Sequence, residues 1–213
     1  MESDLRKLRK DYSLHALNEG DVAKDPFTQF KTWLTEAIAS QFVEPNAMIL
    51  ATSSADGMPS ARVVLLKDYD EQGLVFFTNY RSRKGVELEA NPKAALLFYW
   101  AELERQIRIE GRVEKVSRAQ SEAYFSKRPR TAQIGAHASF QSSVLTGREV
   151  LEREAQRLEK FWQGKDVACP KDWGGFRLRP ECFEFWQGRE SRLHDRICYR
   201  KTVDVWRIER LAP

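Results

Sequence analysis

The chain has 213 residues, 42% apolar and 31% charged, with 35 basic and 31 acidic side chains giving a formal charge of +4. A globular chain of this length buries about 70% of its unfolded surface, so it needs neither disulfides nor a structural metal to fold. Three scattered cysteines (Cys169, Cys182 and Cys198), three separate histidines and no CxxC argue against a zinc site of ordinary spacing. The same sparse cysteine usage suits a reducing cytoplasm. The start, MESDLRKLRKDY, lacks an apolar signal segment. The longest apolar run, Ala94 to Ala101, is far short of the ~20 residues that span a bilayer.

The first 24 residues are polar and charged. A helix then opens with Asp25 as N-cap and Pro26 in its first turn, and Phe27, Phe30, Trp33, Leu34, Ala37 and Ile38 recur at helical spacing. Strands follow over 47–53, 61–69 and 74–79, separated by Asp-Gly and Gly turns at hairpin spacing. A helix is expected over 81–92, with Ser82 near its start and Asn91-Pro92 as its stop. Two more strands cover 94–100 and 106–116, with Gly111 marking a bulge or bend in the second. Ser117 and Gln120 fit a capping box for a helix to about Lys127, and a longer helix runs from about Arg148 to Trp162. The end returns to strands at 176–180, 182–187, 196–201 and 205–211. Strands both early and late, with helices interposed but not alternating, favour an antiparallel barrel or sandwich carrying helices over a parallel sheet. Nothing resembling a linker divides the chain, so a single domain over 1–213 is expected.

The sequence has no nucleophile elbow, zinc-protease motif, P-loop or dinucleotide fingerprint. Cations instead gather at strand ends and loops: Arg62 and Lys67; Arg81, Arg83 and Lys84; Arg105 and Arg108; Lys127, Arg128 and Arg130; and Arg189, Arg192, His194 and Arg196. Ser82-Arg83-Lys84 at a helix N-terminus offers free N–H groups, a positive dipole end and two cations to one phosphate monoester. Arg62 and Lys67 are five apart and would face opposite sides of a regular strand unless a bend brings them together. Arg192 and His194 at i, i+2 would share a strand face. Taken singly, each cation is equally well read as a solvated surface charge, Trp186 as a core aromatic and His194 as a structural histidine.

These clusters, in this order, resemble the pyridoxine (pyridoxamine) 5′-phosphate oxidase family. The resemblance runs from about Leu8 to Pro213 through RVVLLKDYD (62–70), FFTNYRSRK (76–84), LERQIRIEGR (103–112), YFSKRPRTAQIGA (124–136), QSS (141–143), WGGFRL (173–178), FWQGRESRLHDR (185–196) and IERLAP (208–213). It implies a mainly β, α+β fold: an antiparallel, FMN-binding split β-barrel, homodimeric with FMN at the subunit interface. Residues 1–24 would be a mobile N-terminal segment, and strands within 173–213 would complete the active site. The implied reaction oxidises pyridoxamine 5′-phosphate and pyridoxine 5′-phosphate to pyridoxal 5′-phosphate, with O2 re-oxidising the flavin to give H2O2.

By the family pattern, FMN would meet Arg62, Val63, Val64, Leu65, Leu66, Lys67, Phe77, Thr78, Arg83, Lys84, Gln106, Gln141, Ser142, Trp186 and Arg196. Substrate would meet Arg9, Tyr12, Lys67, Tyr124, Arg128, Ala132, Arg192, Leu193 and His194, with Arg192 and His194 at the reacting carbon. The family commonly has serine where this chain has Ala132, and tyrosine where it has Phe77; Thr131 or a water would stand in for the missing serine hydroxyl. No metal, nucleic acid or membrane is implied, and the setting would be cytoplasmic. Two other readings compete. A flavin-reductase-like split barrel would have no use for a second phosphate site, and a basic nucleic-acid module would lack a recognition motif here.

Overall fold

The computed structural model describes Asp4, Lys7, Leu8, residues 10–203 and residues 205–213. The elements in chain order are α1 (Pro26–Ala39), β1 (Ala47–Ser53), β2 (Pro59–Leu65), β3 (Asp68–Asp70), β4 (Gly73–Asn79), α2 (Arg83–Ala90), β5 (Lys93–Trp100), β6 (Arg105–Lys115), α3 (Arg118–Ser126), α4 (Arg130–Ala138), α5 (Arg148–Phe161), β7 (Trp173–Gln187), β8 (Asp195–Lys201) and β9 (Trp206–Arg210). The strands join in the order β2-β1-β5-β6-β7-β4-β3, with β8 added on β7 and β9 on β8. The β3–β4, β4–β7, β7–β8 and β8–β9 pairs are all antiparallel. No helix among the described residues is long and apolar enough to cross a membrane.

The chain forms two compact units, one of Leu50–Ala94 with Gly111–Arg179, the other of Met1–Ile49, Ala95–Glu110 and Pro180–Pro213. In the first, β4 buries Leu74, Val75 and Phe76, and Phe76 lies 5.8 Å from Phe176 of β7. Phe125, Ile134, Ala138, Leu158, Val167 and Trp173 form a second cluster, against which Leu151 and Ala155 of α5 pack, with Trp162 just past its end. Those are the α5 residues whose spacing marks its apolar face. Helices α2 and α3 start where the sequence signals them: Ser82 accepts the Gly85 N–H and Ser117 accepts the Gln120 N–H.

In the other unit, α1 begins at the expected cap, where Asp25 accepts the Thr28 N–H at 2.7 Å. Its buried face carries Phe30, Trp33, Leu34 and Ala37. Phe30 meets Phe98 at 5.3 Å and Trp33 meets Phe185 at 5.3 Å, both edge-on. The Arg105 guanidinium covers Trp33 at 4.5 Å and pairs with Glu36. Cys182 and Cys198, on adjacent strands, bring their Sγ atoms to 3.4 Å. Arg210 of β9 reaches back to Glu19, to the Leu17 carbonyl and to Asp195.

Four expectations change. The strand expected over 61–69 is two strands, because the chain leaves the ladder after Leu65 and Lys67 N–H bonds to the Val75 carbonyl at 2.9 Å. Helix α4 has no counterpart in the sequence reading: its cap is Pro129, with no side-chain cap hydrogen bond, and Gly135 interrupts its pattern. The separate strands at 176–180 and 182–187 are one strand, β7. Pro180 is tolerated there because it falls between the stretch paired with β4 (173–178) and the stretch paired with β8 (182–187). Finally, alternating burial runs along β6 through Gly111 without a change of phase, so the expected bulge is absent.

Candidate functional site

A cavity of 730 Å³ opens in the unit containing α2, lined by Arg62, Val63, Val64, Leu65, Lys67, Phe77, Thr78, Lys84, Tyr124, Arg128, Ala132, Gln141 and Ser142, together with Asn79, Gly135, Ala136, Ser139 and Trp173. The break after β2 explains how Arg62 and Lys67 both reach it. The expected cofactor-binding Leu66 does not line it: it follows the end of β2 and its side chain is buried.

Lys84 is the best-supported cation of the cavity. Its buried Nζ donates to Thr78 Oγ1, Ser82 Oγ and Gln141 Oε1, each at 3.2 Å. Burial, and then the charge of Arg62, push its pKa below the usual lysine range, with Glu87 pulling the other way. Arg62 donates to the Leu50 carbonyl, Thr52 and Ser60, and pairs with Glu87 at 3.3 Å. For Glu87, burial works to raise the pKa, but hydrogen bonds from Ser60, Thr52 and Arg83 prevail and hold the carboxyl at about 2. A cation set already strained by its own crowding gains when an anion arrives, and this one stands at the N-terminus of α2.

The far wall is aromatic. Phe77 stacks on Tyr124 with centroids 4.1 Å apart, and Trp173 lies parallel to both. Gly175 permits this packing, since a Cβ there would lie 2.8 Å from Phe77 Cε1 and 2.7 Å from Val116 Cγ2. The Arg128 guanidinium sits over Trp173 at 4.8 Å. Burial draws its pKa down, and its buried Nη1 has no hydrogen-bond partner among the described residues. That orphaned donor, like the buried ammonium of Lys84, is the mark of a site shaped for an anion. Thr131 does not line the cavity beside Ala132, whereas Ser139 does.

The expected residues Arg83, Gln106, Trp186 and Arg196 lie outside this cavity. Arg83 turns to Glu87 at 2.8 Å and lines a neighbouring 640 Å³ hollow, while its N–H donates to Ser142 Oγ. Gln106 is half-buried on β6. Arg196 spends its guanidinium on Glu184 and the Ala212 carbonyl.

In the other unit a 360 Å³ cavity is lined by Leu8, Lys10, Asp11, Tyr12, Arg189, Ser191, Arg192 and His194. Arg192 and His194 share it, but not by the strand alternation expected of them. Residues 190–192 form a 3-10 turn with positive φ at Ser191 and Arg192, and β8 begins only at Asp195. Leu193 turns away, 69% exposed, toward a neighbouring hollow. His194 Nδ1 accepts the Arg189 N–H at 3.1 Å, and its ring rests 4.6 Å from Trp186. Burial and the Arg192 charge hold its pKa below the usual imidazole value, against the pull of Asp195. Tyr12 touches both rings, at 5.7 Å from each. Arg9 lies outside the described residues.

The order and pairing of the strands are those of the FMN-binding split barrels. A PhzG from Burkholderia lata, solved with tetrahydrophenazine-1-carboxylic acid, superposes with a TM-score of 0.88 at 33% identity, covering 94% of this chain and 100% of that one. A pyridoxamine 5′-phosphate oxidase-related, FMN binding protein from Nostoc punctiforme shares the fold at TM-score 0.72 and 17% identity, covering 90% of this chain and 100% of its own. Residues 34–162 match the pyridoxamine 5′-phosphate oxidase family model, and 173–213 match the pyridoxine 5′-phosphate oxidase C-terminal dimerisation region. The pyridoxine/pyridoxamine 5′-phosphate oxidase of Trichormus variabilis is 55% identical over 214 residues, covering 100% of both chains. That of Cupriavidus pinatubonensis is 56% identical over 213 residues, covering 99% of this chain and 100% of its own. The chain belongs to the pyridoxine/pyridoxamine 5′-phosphate oxidase family, and FMN is its cofactor. The buried Lys84, the α2 N-terminus and the unpartnered Arg128 Nη1 fit a ligand that carries phosphate.

Proposed function

We propose that the chain oxidises pyridoxamine 5′-phosphate and pyridoxine 5′-phosphate to pyridoxal 5′-phosphate, working in the cytoplasm as a homodimer with FMN at the subunit interface. The observation that carries this reading is a cavity with two separately held cation sets: Lys84, bonded to Thr78 and Gln141, and Arg128, over the Trp173 ring that Tyr124 also faces, with Arg62 and Lys67 lining the same cavity. One set suits the FMN phosphate and the other the phosphate of the vitamer, which explains two cation clusters on a chain of only +4. The matched dimerisation region supports the dimer.

Bound FMN would supply the two-electron chemistry, with O2 as the final acceptor giving H2O2; in the amine case water would enter and ammonia would leave as the aldehyde forms. The protein holds the substrate still. Lys67 and Arg128 anchor its phosphate, remote from the reacting carbon, and that binding energy fixes the ring. Arg192 and His194 orient the ring. Because His194 Nδ1 accepts the Arg189 N–H, Nε2 is the ring nitrogen left to meet substrate.

The test is anaerobic. The flavin-loaded protein is mixed with pyridoxine 5′-phosphate without O2, and the visible band is followed. Bleaching, and recovery in air with pyridoxal 5′-phosphate formed, is the expected result. A loaded flavin that stays oxidised would remove the substrate assignment and leave the fold. Bleaching by tetrahydrophenazine-1-carboxylic acid alone would move the chain toward the chemistry of its PhzG neighbour.

A further inference from the structure

Glu104 is a carboxylate with no part in the chemistry above, yet it is 2% exposed and sits in the left-handed region at φ 54°. Its main chain is fixed first: the Glu104 carbonyl accepts the Gly188 N–H at 2.8 Å and Gln187 Nε2 at 3.2 Å. Its side chain is then fully used by the segment before α1. Oε2 accepts the N–H groups of Ser13 (2.9 Å) and Leu14 (3.1 Å), and Oε1 pairs with Lys10 Nζ at 3.2 Å. Three bonds from one buried carboxylate thus bracket Tyr12 in sequence. Tyr12 in turn lies on Gly188, where a Cβ would stand 2.7 Å from Tyr12 Cγ, and its ring meets Trp186 and His194.

We propose that Glu104 is a positioning residue for Tyr12: its buried carboxylate pins residues 10–14 so that the Tyr12 ring forms a wall of the cavity holding Arg192 and His194. The proposal rests on the reading that this cavity receives the vitamer ring. A carboxylate suits the task better than a neutral side chain, since it alone accepts two N–H groups and an ammonium together. The left-handed turn at Glu104 aims it outward from a backbone already held by Gln187 and Gly188, so the clasp borrows its rigidity from β7.

The experiment compares wild type, Tyr12→Ala, Glu104→Gln and the double variant, each loaded with FMN. Trypsin cleavage after Lys10 is expected to speed up by roughly tenfold or more in Glu104→Gln, as loss of a charge-assisted bond allows. The KM for pyridoxine 5′-phosphate should rise in both single variants, with kcat changing by less than about twofold. The double variant should be no worse than Tyr12→Ala, because a residue acting through Tyr12 has nothing further to lose once the ring is gone. Effects that multiply, an unchanged KM, or unchanged proteolysis would each overturn the proposal. Should Glu104→Gln fail to fold, Gly188→Ala keeps the carboxylate but crowds Tyr12, its Cβ meeting Tyr12 Cγ at 2.7 Å and Glu104 Cβ at 3.1 Å, and must give the same KM rise, non-additive with Tyr12→Ala. If wild type does not oxidise the ester, the functional reading fails by itself. Proteolysis, and the His194 ring resonances in Glu104→Gln, then still decide whether the clasp holds Tyr12 in place.

Discussion

Glu87 decides how the anion cavity behaves when nothing is bound. It pairs with Arg62 and Arg83 and, with its carboxyl held at about 2, is ionised at neutral pH. Lys84 faces the cavity and Arg83 faces Glu87, so the two neighbours are not equivalent. Lys84→Ala is therefore expected to weaken FMN binding by roughly 10- to 150-fold, the worth of one charge-assisted bond, and Arg83→Ala by clearly less; fluorescence titration of the apoprotein with FMN measures both. Ala132 lines the same cavity as Tyr124 and Arg128, so on the proposed reading a hydroxyl added there would have the substrate phosphate to reach. Ala132→Ser should lower the KM for pyridoxine 5′-phosphate by up to about tenfold, and an unchanged KM would count against that placement.

His194 gives a pH prediction. Its folded pKa lies below the ordinary imidazole value through burial and then Arg192, so above both values the ring is neutral in folded and unfolded chains alike. As pH falls through the unfolded value toward the folded one, the unfolded state takes up the proton first, and stability declines across that window. NMR titration should find His194 below about 6.5, and Arg192→Gln should raise it by removing the neighbouring charge. The identities of these residues were legible in the sequence as ordered cation clusters. Their partners were not: Glu87, Ser60, Thr52 and Trp173 are ordinary residues until the chain folds them against Arg62 and Arg128.

At the scale of elements, α2 carries the clearest load. Ser82 Oγ accepts from the Gly85 N–H and from Lys84 Nζ, so one hydroxyl both caps the helix and steadies the ammonium. Ser82→Ala is expected to cost about 1 kcal/mol, lowering Tm by about 2–4 °C, and to loosen FMN as well. Helices with caps, α1, α2 and α3, were readable because a side chain at a fixed offset announces each start. Helix α4 was not: Pro129 offers no side-chain cap, and its nine residues, interrupted by Gly135, lack the long apolar period that makes the equally uncapped α5 readable. The break between β2 and β3 was hidden for a different reason. The run from Ala61 to Tyr69 keeps strand-like composition throughout, and only the bond from Lys67 N–H to the Val75 carbonyl shows where the ladder ends. The strand-face argument for Arg192 and His194 failed likewise, since no composition signal announces two consecutive left-handed residues that are not glycine.

For the whole molecule, the governing fact is how the chain is apportioned. One compact unit takes its residues from Leu50–Ala94 and Gly111–Arg179, the other from three separate stretches that include Met1–Ile49 and Pro180–Pro213. Arg210 stitches the last strand to the segment before α1 through Glu19 and the Leu17 carbonyl. Arg210→Ala should leave FMN binding intact while residues 17–19 become more open to proteolysis. Equal loss of FMN would show that the stitch matters beyond its own unit.

That stitch carries a consequence for the order of events on the ribosome. Leu17 and Glu19 emerge early, while their partner Arg210 follows 191 residues after Glu19, so this unit cannot close as it is made. The unit of α2 through α5, complete once Arg179 has appeared, is free to fold ahead of it, while the Tyr12 ring has neither Gly188 nor His194 to rest on until β7 and the turn after it have been made.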